Sequence, residues 1–107
     1  MSDYCYIDFS IKLKSDQIDD LSCVFIKGAI IKSLLQIFGE IGGNTEFDLL
    51  KFDEHRRKGI IRVPADFSIK LRIALTLISE FQGVSAIFQV HKATNTLPAL
   101  IDTFIEF

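Results

Sequence analysis

The chain has 107 residues and a mass of 12.1 kDa, room for one hydrophobic core and not for two, so residues 1–107 are expected to form a single domain. A net charge of −2 with a pI near 5.6 excludes a protein that grips nucleic acid through a large basic surface, because such binding rests on many phosphate contacts. Hydrophobic residues make up 49% of the chain and mean hydropathy is +0.30; in so small a body part of this apolar material is expected outside, as an interface with other proteins.

Residues 4–13, YCYIDFSIKL, alternate strictly. That period of two predicts a half-buried strand, with Cys5, Ile7, Phe9, Ile11 and Leu13 on one face and Tyr4, Tyr6, Asp8, Ser10 and Lys12 on the other. Ser15 and Asp16 offer an N-cap, and Asp19 and Asp20 suit the positive end of a helix running from about Gln17 to Glu40 and stopping at Gly42-Gly43. Its apolar positions, from Ile26 and Ile31 through Leu35 and Phe38 to Ile41, cover about half the circumference. Lys32, Ser33, Gln36 and Glu40 leave only a narrow polar lane. One sheet covers an arc of about 100°, so the excess predicts a second neighbour. Ile30, Leu34 and Ile37 are the partner-facing candidates on this helix.

Glu46–Phe52 and Lys58–Val63 read as strands joined by Asp53–Arg57, with a basic hairpin tip at His55-Arg56-Arg57-Lys58-Gly59. Pro64, which cannot donate to a ladder, ends the second strand. Asp66 is placed to cap a second helix reaching about Phe81, whose stripe of Phe67, Leu71, Ala74, Leu75, Ile78 and Phe81 predicts one-sided packing opposite Ser68, Arg72, Thr76 and Ser79. Gly83 stops it, and Val84–Lys92 is a further strand. The segment Leu97–Phe107 reads as a short helix or extended tail; Leu97, Leu100, Ile101 and Phe104 either fold back on the sheet or pack on another subunit, and join the interface candidates. This order predicts an α+β, ferredoxin-like or RRM-like split βαβ sandwich: four antiparallel strands, two main helices and a short C-terminal helix.

Little in the chain points to chemistry. His55 and His91 lack partners at metal-ligand spacing, and no nucleophile elbow, P-loop or dinucleotide fingerprint occurs. Gly39, Gly42 and Gly43 follow a helix, whereas phosphate cradles precede one. No catalytic residue, metal or cofactor is expected. Cys5 and Cys23 read as buried free thiols of a reducing compartment. The N-terminus lacks a secretory pattern, and charges interrupt residues 18–38 too often for a membrane span, so a soluble chain is expected. Lys58-Gly59-Ile60-Ile61-Arg62-Val63 keeps the basic-Gly opening and the Val of an RNA-recognition core, but Ile60 and Arg62 stand where stacking aromatics belong. Base stacking is thereby disfavoured. Phosphate contact by Lys51, Arg56, Arg57, Lys58 and Arg62 stays open beside a merely solvated basic turn.

The order and spacing of Leu34-Leu35-Gln36-Ile37-Phe38-Gly39-Glu40-Ile41, Phe47-Asp48-Leu49-Leu50-Lys51-Phe52, Gly59-Ile60-Ile61-Arg62-Val63, Ala74-Leu75-Thr76-Leu77-Ile78 and Ala86-Ile87-Phe88-Gln89-Val90 resemble the small Pop-five/Rpp-fourteen proteins of ribonuclease P and ribonuclease MRP, the fourteen-kilodalton branch most of all. The likeness spans roughly residues 4–100. It implies a non-catalytic protein subunit of a ribonucleoprotein that trims the 5′ leader from precursor tRNA, the RNA performing the hydrolysis with bound metal ions. It further implies a hetero-oligomer with Rpp-thirty-type and Pop-five-type subunits, indirect association with the ribonuclease P RNA and precursor tRNA, and a place in the nucleus and nucleolus. Two other readings compete. One is a ferredoxin-like regulatory module holding a small molecule near Gly39 and Gly42-Gly43; the other is an independent RNA-binding domain.

Overall fold

The structure is a computed structural model that describes residues 3–14, 22–42 and 46–95. Its elements are β1 (Tyr4–Leu13), α1 (Cys23–Gly42), β2 (Asp48–Asp53), β3 (Lys58–Pro64), a 3-10 turn (Ala65–Phe67), α2 (Ser68–Leu77), β4 (Glu80–Phe81) and β5 (Val84–Thr94). The strands form one sheet in the order β2-β3-β1-β5-β4, antiparallel throughout. The four long strands have the split βαβ order, with β1 and β3 central.

Five strands replace the four expected from sequence. The added one arises because α2 stops at Leu77: Ile78 turns extended (φ −70°, ψ 119°), and Glu80 and Phe81 pair with Ser85 and Val84. Ile78 and Phe81 stay buried either way, so the apolar stripe carried no mark of where the helix ends. Asp66 does not cap this helix; neither its entry nor that of the 3-10 turn has a side-chain cap bond, and the Ser68 hydroxyl donates to the Ala65 carbonyl at 3.0 Å. Pro64 is the last residue of β3, opposite Tyr4. The predicted start of the first helix at Gln17, its Ser15-Asp16 cap and the whole of Leu97–Phe107 lie outside the described residues.

β1 organises the core because both of its edges are paired, one to β3 and the other to β5. Its inward side chains Ile7, Phe9 and Ile11 pack with Ile61 and Val63 of β3, Ile26, Ile30 and Leu34 of α1, and Leu71 and Leu75 of α2. Phe9 is stacked between Phe52 and Phe88, with ring centroids 6.1 and 6.3 Å away. Gly59 admits that ring: a Cβ there would meet the Lys51 carbonyl oxygen at 2.8 Å and the Phe9 and Phe52 rings at 2.9 Å. The two helices are tied by the buried Ser33 hydroxyl, which donates to the Ala74 carbonyl at 2.8 Å.

Two β-bulges interrupt the ladders. One lies in β5, where Phe9 pairs with Val90 but Asp8 with Lys92, leaving His91 as the extra residue. The other lies in β2, where Leu49 pairs with Ile61 but Lys51 with Ile60, leaving Leu50 as the extra one. Asp8 pairs with Ile60, so both bulges flank one cross-strand row: Lys51, Ile60, Asp8, Lys92.

Candidate nucleic-acid and partner interfaces

The described helices, α1 and α2, cover one face of the sheet, and neither lies over the other, called the open face below. Alternation along β1 sends Tyr4, Tyr6, Asp8, Ser10 and Lys12 to this open face, and cross-strand pairing brings Lys58, Ile60 and Arg62 beside them. Asp8 and Ile60 are only 1% and 2% exposed although, among the described residues, no helix lies over them. Ile60 takes no part in the main core.

Asp8 is the electrostatic centre of this surface. Its Oδ1 has no hydrogen-bond partner. Burial pushes the carboxyl above the ordinary carboxylate range, against the attraction of His91, Lys58 and Lys92. His91, on the same side as Ile87 and Gln89 by alternation, sits with Nε2 2.6 Å from the Ser10 hydroxyl. At the far end, Arg62 donates to Asp48 Oδ2 through Nη2 at 2.7 Å and Nε at 3.2 Å, and stacks 5.0 Å from the centroid of Tyr4. The hydrogen bond to Asp48 raises the Arg62 pKa further.

The five basic residues singled out in the sequence therefore divide. Lys51, Lys58 and Arg62 share the open face, Arg62 held by Asp48. Arg56 and Arg57 stand at the hairpin tip. There Asp53 Oδ1 accepts from the backbone N–H groups of His55 (3.0 Å) and Arg56 (3.1 Å), the Arg57 N–H donates to the Asp53 carbonyl at 2.7 Å, and Arg57 takes φ 56°. The tip is anchored to β1, whose Ile11 N–H donates to the Arg57 carbonyl at 2.9 Å. Sequence reading passed over Tyr4, Tyr6, Asp8, His91 and Lys92. Tyr4, Tyr6, Asp8 and His91 were findable by following the outward parity of the first and last strands; Lys92 was not, because the bulge changes that parity.

A second surface is apolar. Ile30 and Leu34, expected to face a partner, are 0% and 1% exposed and belong to the chain's own core. Ile37 is exposed, and so are their neighbours Val24, Ile31 and Leu35, which form a lane along α1. Leu97, Leu100, Ile101 and Phe104 lie outside the described residues. α2, expected to pack on one side only, shows an unforeseen outer lane of Ile69, Ile73 and Leu77, with Ile69 70% exposed. This lane borders a groove of about 480 Å³ against Phe88, Gln89 and Val90 of β5. Among the described residues, β4 pairs with only Val84 and Ser85 of β5. A larger groove of about 580 Å³ runs between Val24, Phe25, Gly28 and Lys32 of α1 and the Leu77–Gly83 turn.

Cys23 is exposed and Cys5 half-buried, both free thiols, so the expectation of two buried thiols fails for Cys23, which begins α1. Among the described residues no group of three His, Cys, Asp or Glu side chains is placed to hold a metal ion, and no helix is long and apolar enough to cross a membrane. Gly39, the proposed ligand contact of a regulatory module, instead breaks α1 at φ 77°, and a Cβ on it would meet no atom within 4 Å.

Comparison with known proteins gives a consistent picture. A family model, described as the Rpp14/Pop5 family, matches residues 5–105. The chain is 34% identical to ribonuclease P protein component 2 of Pyrococcus horikoshii over 101 residues, covering 94% of this chain and 81% of that protein. It is 26% identical to the mouse ribonuclease P protein subunit p14 over 99 residues, covering 92% and 80%, and 25% identical to the human p14 subunit. In fold it matches a chain in the cryo-EM structure of yeast ribonuclease MRP, with a TM-score of 0.76 at 14% identity, over 99% of this chain and 91% of that one.

Proposed function

Since the chain belongs to the Rpp14/Pop5 family, we propose that it serves as a non-catalytic protein subunit of the ribonuclease P or ribonuclease MRP ribonucleoprotein, an accessory to RNA-catalysed removal of the tRNA 5′ leader. The observation that carries this reading is the family match across residues 5–105, joined by relatives that are themselves ribonuclease P proteins. Those relatives lend no support to a small-molecule regulatory module.

The surfaces suggest how the role is divided. Val24, Ile31 and Leu35 on α1, with Ile69, Ile73 and Leu77 on α2, form apolar lanes that suit Rpp-thirty-type and Pop-five-type protein subunits. Lys51, Arg56, Arg57, Lys58 and Arg62 make the chain's contribution to RNA, small because the overall charge is acidic. The nucleus, and within it the nucleolus, is the proposed location. Affinity purification of the tagged chain from its own cells tests the reading. Co-recovery of other ribonuclease P or MRP proteins with the catalytic RNA is expected; recovery of the chain without either would overturn it.

A further inference from the structure

We propose that residues 97–107 of this chain fold back across the centre of the open sheet face as an amphipathic helix, with Leu100, Ile101 and Phe104 set on the row of Asp8 and Ile60. This placement turns the face into a closed surface with a basic rim, and it stands whether or not the chain joins a ribonucleoprotein.

The centre of this face is sealed while its margin is wet. Asp8, Ile60 and Ser10 are buried, yet Lys12 and Lys51 are exposed and Ile87 is 62% exposed. An antiparallel sheet face turned to water leaves such side chains partly wet, so a body lies over β1 and β3. It belongs to this chain, because these exposures are those of one chain with no neighbour against it. α1 and α2 are on the other side of the sheet. What remains is residues 1–2, 15–21, 43–45 and 96–107. Residues 15–21 join β1 to α1 and residues 43–45 join α1 to β2, so both lead to or from the helix layer. Residues 1–2 are too short. Residues 96–107 have the length and the apolar content to cover the centre of the sheet.

The reach and chemistry of this segment fit the site. β5 ends at Thr94, opposite Tyr6 and beside the Asp8 row, and the chain bends at Asn95. Leu97, Leu100, Ile101, Phe104 and Ile105 recur at every third or fourth position, the spacing of one helix face. Pro98 falls in the first turn, where a missing N–H leaves no helical bond unmade. A helix over residues 97–105 spans about 14 Å, and strands lie about 4.8 Å apart, so it reaches from β5 over β1 and β3. Asp102 and Glu106 fall off the apolar side, and the rim of Lys12, Lys51, Lys58 and Lys92 offers them opposite charge. An apolar cover also accounts for Asp8. It takes away water without bringing a donor, which leaves Oδ1 unpartnered and the carboxyl raised by burial. An RNA or protein ligand of this face therefore meets the lysine rim and not the sheet centre.

The test is thiol labelling of the full chain carrying Asp8→Cys, with the exposed native Cys23 as internal reference. The introduced thiol is expected to react with a maleimide about ten-fold more slowly than Cys23. Adding Leu100→Asp and Phe104→Asp, with the far-ultraviolet circular dichroism of the sheet retained, is expected to bring the two rates within about three-fold. A nuclear Overhauser contact between the Ile60 methyl groups and the Phe104 ring is expected in the unsubstituted chain, and this measurement needs no variant to fold. Fast labelling with Asp8→Cys alone, protection that survives the two tail substitutions, protection lost on dilution (the cover then being a second copy), or absence of the contact between Ile60 and Phe104 would each overturn the proposal.

Discussion

Asp8 sits where alternation puts it, on the outward side of β1, yet it is removed from water. Its carboxyl is raised above the ordinary 3.8 by that burial, with His91, Lys58 and Lys92 opposing the shift. At pH values well below 3.8 the folded and unfolded chains both hold this proton, and the site has no effect on their balance. As pH rises, the unfolded chain ionises first, so stability falls until the folded carboxyl ionises too. Asp8→Asn is therefore expected to stabilise the fold by about 1 kcal/mol at neutral pH, and the gain is expected to fade as pH drops toward about 3. Urea unfolding of both chains across that range measures it; a gain that does not change with pH would show that charge burial is not its source.

At the scale of the element, α1 shows how adjacent residues take opposite parts. Leu34 is 1% exposed and Leu35 42%. Leu34→Ala is expected to cost about 2–5 kcal/mol of stability, as for other emptied core sites, while Leu35→Ala stays within about 0.5 kcal/mol. Chemical denaturation separates the two, and only Leu35→Ala is expected to reduce recovery of partner subunits from folded protein. The excess apolar arc of this helix was legible in the sequence because the count of Ile and Leu exceeds what one sheet covers. Its direction was not. Periodicity gives the width of a stripe, and the side that faces inward is set by where the sheet lies, which is why Ile30 and Leu34 were misplaced on the outside. The end of α2 was hidden for a related reason: Ile78 and Phe81 satisfy a helical spacing and are buried just as well by an extended exit. The stop expected at Gly42-Gly43 gave no sign that Gly39 breaks the helix earlier, at φ 77°, with one further turn that carries Ile41 out to 97% exposure.

For the whole molecule, the net charge of −2 conceals a segregation. Lys12, Lys51, Lys58 and Lys92 share the open sheet face with Asp8, Asp48 and Asp53, and Arg56 and Arg57 stand at the adjoining hairpin tip, so cations outnumber carboxylates there and the acidic balance of the chain understates what this surface offers an anion. The sequence displayed the hairpin cluster as a run, but the open-face lysines come from separate strands and meet only through pairing. Replacing Arg56 and Lys58 together by Ala is expected to flatten the salt dependence of oligouridine binding by about one unit of log K per log salt. Arg57 is best left in place because its backbone is at φ 56°. Titration at several salt concentrations reads the slope, and an unchanged slope would return the tip to the role of a solvated turn.

The two bulges fall on the same row of the sheet, one on each side of the central pair Ile60 and Asp8. Each inserts a residue without a counterpart, so the ladder on either flank is longer than the strand between, and extra twist concentrates there. The result is a crease across the platform. Where a regular sheet would present one head group per strand, here Leu50 crowds in beside Lys51 and His91 beside Lys92. Anything lying along that fold line meets a denser set of side chains than it would one step to either side.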